Sequence, residues 1–128
     1  LCLAEPDYGG RIDWPEGLAR LGALQEAALQ AQGADTRTGR RLRALLHQAR
    51  LSDVQVGVLG GEWADADPSP RDQRDLEWRT LADDLSGPMS KARLRKMETE
   101  FAHADEDGSR VLFLPTFYGW GTRQPDIQ

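Results

Sequence analysis

Acidic and phenolic side chains stand directly after the first apolar run of the chain. Residues 1–4 (LCLA) are short and apolar, and Glu5, Asp7 and Tyr8 follow at once. Such a run predicts a buried strand, and ligands of α/β sheets bind beyond the carboxyl ends of strands. We therefore expect Glu5 and Tyr8 to contact a small-molecule substrate, the carboxylate as an orienting group or base and the phenol as a hydrogen-bond partner. The alternative is a loop with local turn bonds only, and it is the preferred interpretation of Asp7.

Aromatic side chains are the second group of candidate substrate contacts. Trp63 follows the alternating apolar run that ends at residue 59, and Tyr118 and Trp120 stand in the last apolar segment. Small-molecule pockets are mostly apolar and aromatic, so we expect these three side chains to bind substrate. Ordinary packing in the core or at its rim is the alternative for each of them, as it is for Trp14.

The remaining polar clusters favour neither a metal nor a nucleic acid. Arg37, Arg40, Arg41 and Arg43 form a basic patch with His47, which fits an acidic ligand or, more commonly, a solvated helix face. His47 and His103 lie far apart with no cysteine nearby, so no zinc site is expected. Residues 105–108 (DEDG) lack the spaced ligands of a calcium loop and predict a tight turn. The net charge of −5 disfavours nucleic acid as the main partner.

Length and composition are typical of one globular unit. The chain has 128 residues, 39% of them hydrophobic and 29% charged, and it has no apolar run near the ~20 residues of a membrane span. Cys2 is the single cysteine, which fits a reducing cytoplasm. Because the chain opens inside an apolar run, without Met or a signal-peptide pattern, we expect it to be a fragment, a cleaved product or one piece of a larger chain.

The elements that must position the candidate residues alternate in type. Apolar spacing of three and four residues predicts helices over 16–32, 37–50 and 71–85, and a fourth from the Ser90 cap to residue 103. Strands are predicted over 1–4, 54–59 and 110–118, the last interrupted or bent at Pro115. Three strands separated by pairs of helices predict an α/β layer with crossover connections.

Three stretches of the chain carry a resemblance to a known family. Residues 3–10 (LAEPDYGG) with 12–15 (IDWP) resemble the fifth strand of class I S-adenosylmethionine-dependent methyltransferases of small molecules, with the loop after it. Residues 33–46 and the V-x-V run at 54–56 resemble the helix and sixth strand that follow. Residues 113–121 (FLPTFYGWG) resemble the seventh, antiparallel strand.

The resemblance implies the C-terminal half of a Rossmann-like sheet, with three strands in the family's order 5-7-6, the last antiparallel, and four helices. It implies a single partial domain over residues 1–128, in which a helical insertion at about 64–108, beginning near Trp63, covers the substrate. In this family S-adenosylmethionine binds over the first strands, and the chain has no G-x-G-x-x-G for it. The donor site is therefore expected outside this chain, and no donor-binding or catalytic residue is assigned within it.

Two classes of function follow from these expectations. In the first, the chain is the acceptor side of a methyltransferase and is inactive without a donor-binding half. In the second, it is a non-catalytic remnant or interaction module that pairs through the edge of its first strand, either with a second copy or with a complementing N-terminal half. An unrelated small α/β ligand-binding domain is a third alternative.

Overall fold

The computed structural model describes residues 1–61, 63 and 71–123. Its strands are β1 (Cys2–Pro6), β2 (Ile12–Trp14), β3 (Leu51–Leu59), β4 (Val111–Phe113) and β5 (Thr116–Arg123). Its helices are α1 (Leu21–Ala31), α2 (Thr38–Gln48), α3 (Arg71–Leu85) and α4 (Lys91–Glu106), with single 3₁₀ turns at Tyr8–Gly10 and Glu16–Leu18. The α/β class and the four helices are thus confirmed.

The main sheet has the order β1-β5-β3, so the last strand lies in the middle. β5 is antiparallel to both neighbours, with Ala4 opposite Tyr118 on one side and Gly57 opposite Tyr118 on the other. β1 and β3 therefore run parallel to each other, and their carboxyl ends meet beside the start of β5 at Thr116. α1 and α2 connect these two parallel strands, as a parallel pair requires.

Helix α2 covers one face of this sheet at close range. A Cβ on Gly39, in the first turn of α2, would lie 2.7 Å from the Glu5 carbonyl oxygen of β1. A Cβ on Gly119 of β5 would lie 2.8 Å from the Leu46 side chain, and Leu42 and Leu46 are both buried. The two glycines let the helix and the strands approach within the distance that a side chain would otherwise occupy.

The second layer is helical and contains the main apolar core. α1, α3 and α4 pack together through the buried side chains of Leu18, Leu21, Trp78, Leu81, Leu85, Met97 and Phe101. The rings of Trp78 and Phe101 lie 5.3 Å apart between centroids at 53°, a tilted aromatic pair. Among the described residues, no helix is long and apolar enough to cross a membrane.

The strand count predicted from the sequence is wrong. The predicted strand over 110–118 is two strands separated at Leu114–Pro115, and the first of them, β4, pairs with the short antiparallel strand β2. Asp7 N–H donates to the Pro115 carbonyl oxygen at 2.8 Å, which fixes this break against the loop after β1. Segments of three residues are too short to give a periodic signal, so only the long-range pairing defines them.

The first helix also begins later than predicted. Leu18 and Ala19 N–H donate to carbonyl oxygens three residues back, so Glu16–Leu18 is a 3₁₀ turn and α1 starts at Leu21. Gly17 lies in this turn, and a Cβ there would meet the Glu100 carboxylate at 2.5 Å. Close approach of α4 thus requires glycine where a continuous helix would prefer a better helix former.

Candidate functional site

The loop after β1 is fixed on two sides by main-chain hydrogen bonds. Asp7 N–H donates to Pro115 O, and Tyr8 N–H donates to Thr36 O at 3.0 Å, in the connection between α1 and α2. Inside the loop, Gly10 N–H donates to Asp7 O at 3.1 Å. These bonds determine where the Tyr8 side chain leaves the backbone.

The Asp7 carboxylate joins this loop to helix α2. Its side chain is 2% exposed, and it accepts two hydrogen bonds from the Arg40 guanidinium, one of them from Nη2 at 2.6 Å. It also accepts from the Arg40 backbone N–H at 3.2 Å, one of the amides in the first turn of α2 that no carbonyl of the helix satisfies. Hydrogen bonding to Arg40 lowers the pKa of Asp7 below its ordinary value. Asp7 therefore has a structural role, although its carboxylate acts through Arg40, 33 positions away, and not through the local turn bonds that the sequence favoured.

A second ion pair supports the same loop. Glu26 of α1 accepts from Arg37 Nε at 2.7 Å and from the Thr36 hydroxyl at 3.1 Å. Hydrogen bonding to Arg37 lowers the pKa of Glu26. Since Arg41 also pairs with Asp35 at 2.7 Å, three members of the predicted basic patch hold carboxylates of the chain itself.

A cavity of about 370 Å³ opens beyond the carboxyl end of β1. Its apolar lining comes from α3, α4 and the β4 region, through Leu76, Leu81, Phe101, Leu112 and Leu114. Its polar lining comes from Tyr8, Arg11, Gln25, Glu77 and Thr80. The volume lies in the range of small-molecule sites, and a mostly apolar wall with a few polar groups is typical of them.

One wall of the cavity is a hydrogen-bonded chain of side chains. Arg11 donates to both carboxylate oxygens of Asp13, at 2.8 and 2.7 Å, and its third nitrogen donates to the Gln25 amide oxygen. Gln25, which is buried, donates onward to Asp84 of α3 at 2.7 Å. This row of hydrogen bonds therefore links the loop after β1 to α1 and α3 around the cavity.

The opposite wall is held by a second arginine. Arg110 donates to Glu77 at 2.8 Å and to Asp105 at 3.3 Å, and its guanidinium carbon lies 3.8 Å from the centroid of the Phe101 ring. The stacked and paired guanidinium fixes both Phe101 and Glu77, two of the lining side chains.

The substrate contacts predicted from the sequence lie in different places. Tyr8 lines the cavity. Glu5 lies opposite Phe117 within the sheet, and Tyr118 and Trp120 lie on the sheet face opposite α2, where Tyr118 covers Gly57. Trp63 packs against Gly61, where a Cβ would lie 2.7 Å from its ring. Among the five, Tyr8 is the one that lines the cavity, and the substrate-binding roles of all five stay predictions.

Several residues of the cavity were missed by the sequence reasoning. Arg11 and Asp13 are two positions apart in an extended segment, a spacing that places both side chains on one face. From the sequence, this spacing alone could have indicated that Arg11 and Asp13 form a pair. Gln25, Glu77 and Thr80 carry no comparable signal, because each is a polar residue within an ordinary helical pattern.

A second cleft, of about 450 Å³, lies between α3 and α4. It is lined by the charged side chains of Arg74, Asp75, Arg79 and Glu98, with Trp78 and Phe101 at its base. Arg74 is already paired with Asp105 at 3.1 Å. The cleft lies on the helical layer, away from the carboxyl ends of the strands.

The glycine pair in the loop after β1 does not form a cradle for a nucleotide-like methyl donor. A Cβ on Gly9 would meet Arg37, Glu26 and Arg40 within 3.0 Å, and one on Gly10 would meet Pro115 at 3.0 Å. The space beside this glycine pair is thus filled by the chain's own side chains. Within the described ranges there is also no group of three or more His, Cys, Asp or Glu residues that could hold a metal ion.

Comparison with known proteins adds no family assignment. The sequence matches no protein-family model, and the search of curated proteins finds no match for it.

Proposed function

We propose that this chain is the acceptor-binding side of an S-adenosylmethionine-dependent methyltransferase that acts on a small organic molecule. The observation that carries the proposal is the sheet order β1-β5-β3, with the last strand antiparallel between two parallel ones. This is the 5-7-6 arrangement that the resemblance to class I methyltransferases implies for a Rossmann-like sheet. The strand order supports the proposal by analogy with a known fold, and the cavity supports it through the residues of the site itself.

The position of the cavity supports acceptor binding in this half. It is lined by Tyr8, two residues after the carboxyl end of β1, and ligands of doubly wound sheets bind beyond the carboxyl ends of strands. Helices α3 and α4 form its outer wall, as expected of the helical insertion predicted at about 64–108, whose residues 64–70 lie outside the described residues.

The chemistry assigned to this chain is positioning. S-adenosylmethionine supplies an already activated methyl group, so transfer depends mainly on alignment and exclusion of water. Tyr8 is placed to orient an acceptor through its phenol, and the apolar wall keeps water away. Because side chains of the protein itself fill the space beside the Gly9–Gly10 pair, we expect the donor to bind in another part of the parent protein.

Methyl transfer by the protein of the complete reading frame tests this proposal. That protein would be incubated with tritium-labelled S-adenosylmethionine and a small-molecule extract of the source cells, and the organic phase counted. We expect labelled product, lost on Thr80→Trp, which fills the cavity mouth, and retained on Thr99→Trp. Both threonines are exposed, and each donates its hydroxyl to the carbonyl four residues earlier, so the pair is matched. Absence of label, or equal label in both variants, would refute acceptor binding at this cavity.

The free edge of β1 favours a second function. β1 pairs with β5 on one side and with no described strand on the other, and Leu1 and Leu3 are 65% and 38% exposed. Such an edge is a template for another strand, from a second copy or from a complementing N-terminal half. Light scattering of residues 1–128 tests self-pairing: a dimer lost on Leu3→Lys supports the interaction module, and a monomer contradicts it.

A further inference from the structure

The cavity beyond β1 contains two formally charged side chains, and both are neutralised by partners within the protein. Arg11 is 5% exposed in its side chain and forms a two-point pair with Asp13. Glu77 pairs with Arg110 at 2.8 Å. A ligand therefore meets no free charge of either sign on the described lining.

Asp84 adds a negative charge behind the cavity lining. Among the described residues its side-chain hydrogen-bond partner is the neutral Gln25 amide, which also accepts from Arg11. Asp105 accepts from both Arg110 and Arg74. An anion that enters the cavity could pair with Arg11 only by displacing Asp13, and it would also approach the carboxylates of Asp84 and Glu77. The free energy that the anion loses on leaving water would therefore not be compensated by a new ion pair.

The groups free to recognise a ligand are neutral hydroxyls. The Tyr8 phenol has no side-chain hydrogen-bond partner among the described residues, so its donor and acceptor are open. Thr80 donates to the Leu76 carbonyl oxygen at 3.0 Å, which leaves its oxygen as an acceptor. The rest of the lining is Gln25, whose amide is bonded to Arg11 and Asp84, together with leucine and phenylalanine side chains.

We infer that the cavity binds an uncharged, largely apolar molecule with a hydroxyl-sized polar group, and that it discriminates against carboxylates and other anions. The inference rests on the proposed function only where it names this molecule as the methyl acceptor. Recognition by a small number of neutral hydrogen bonds within an apolar wall also explains why the two arginines near the cavity are paired so completely.

Three probes with the same ring test this selectivity on residues 1–128. They are 2-naphthol, 2-naphthoate and 2-(aminomethyl)naphthalene, which at pH 7 are neutral, anionic and cationic. Binding would be followed by amide chemical shifts. We expect 2-naphthol to bind with a dissociation constant on the order of 1 mM, and 2-naphthoate at least about tenfold more weakly, the ratio set by one uncompensated charge. The amine is expected to bind more tightly than 2-naphthoate, because the Asp84 carboxylate lies behind the lining.

Two variants locate the binding and its selectivity. Thr80→Trp is expected to abolish 2-naphthol binding, and Thr99→Trp to leave it unchanged. Asp13→Asn removes the partner of Arg11, so it is expected to raise the affinity of 2-naphthoate relative to 2-naphthol by about tenfold. Thermal unfolding of each variant checks that it is folded. If the Asp13→Asn variant does not fold, the comparison of Thr80→Trp with Thr99→Trp alone tests whether 2-naphthol binds in the cavity.

The possible results separate this inference from the proposed function. The inference is overturned if the unchanged protein binds 2-naphthoate as tightly as 2-naphthol or the amine, or if 2-naphthol still binds to the Thr80→Trp variant. Selective 2-naphthol binding without methyl transfer by the full-length protein would uphold the inference and overturn the methyltransferase proposal.

Discussion

Substitution of Gly39 by alanine tests the close packing of α2 on the sheet, on which the loop after β1 depends. The added Cβ would lie 2.7 Å from the Glu5 carbonyl oxygen, 2.9 Å from the Phe117 ring and 3.1 Å from the Pro6 carbonyl oxygen. Ordinary contact begins at 3.4 Å, so helix and strand must separate by about 0.7 Å. Two of the three neighbours are backbone atoms, which cannot rotate away as a side chain would.

The expected cost follows from this separation. Overpacking of this kind destabilises a fold by about 1–3 kcal/mol, whereas replacing a glycine by alanine inside a helix stabilises it by up to about 1 kcal/mol. Gly39 lies in the first turn, where this stabilisation is small. We therefore expect the free energy of unfolding to fall by about 2 kcal/mol. For a chain of this size that corresponds to a fall in Tm of about 8 °C.

Thermal unfolding followed by circular dichroism measures this change, with Gly87→Ala as the control. Gly87 has no heavy atom within 4 Å of its ideal Cβ, so its variant is expected to stay within about 0.5 kcal/mol of the parent. A Gly39→Ala variant as stable as the Gly87→Ala variant would show that α2 does not pack against β1 at this distance.

Three further substitutions test the site and its supporting helices. Hydrogen bonds from Arg40 lower the pKa of Asp7 from its ordinary 3.8, so they stabilise the fold above about pH 4, and this stabilisation is lost as pH falls through that region. The free energies of unfolding of the protein and of the Asp7→Asn variant, measured with denaturant, should therefore differ most near pH 7 and converge at low pH. A difference that stays constant with pH would contradict the stabilisation of the Asp7 carboxylate by Arg40. Ser90→Ala is expected to cost about 1 kcal/mol in the same assay, because the Ser90 hydroxyl caps α4 by accepting from Arg93 N–H; no change would show that the cap is dispensable. Phe101→Ala should cost about 3–5 kcal/mol, since the ring is 2% exposed, and a loss below 1 kcal/mol would place this ring outside the core.

The helical part of the fold could be predicted well because its signals are local. α3 spans Arg71–Leu85 as predicted, and its apolar stripe of Trp78, Leu81 and Leu85 is buried. Ser90 caps α4 as predicted, since capping depends on residues only three positions apart. The start of α2 depends instead on a long-range contact: Arg37 occupies the cap position, and the Asp7 carboxylate accepts from the Arg40 amide across 33 positions.

The candidate site could be predicted only in part, because it is assembled from distant segments. Tyr8 was predicted from its position after a strand, a rule about topology that needs no partner residue. The remaining walls come from α1, α3, α4 and the β4 region, and the Gln25–Asp84 bond joins residues 59 positions apart. Periodicity identifies which face of a helix is buried, and the tertiary packing decides which exposed polar residue borders a cavity.

Calorimetric titration with S-adenosylhomocysteine, the demethylated donor, tests the central claim most directly. The two samples would be residues 1–128 and the protein encoded by the complete reading frame. Our account predicts binding by the full-length protein and none by residues 1–128, in which side chains of the protein itself occupy the space beside the Gly9–Gly10 pair. Binding by residues 1–128, or by neither protein, would contradict it.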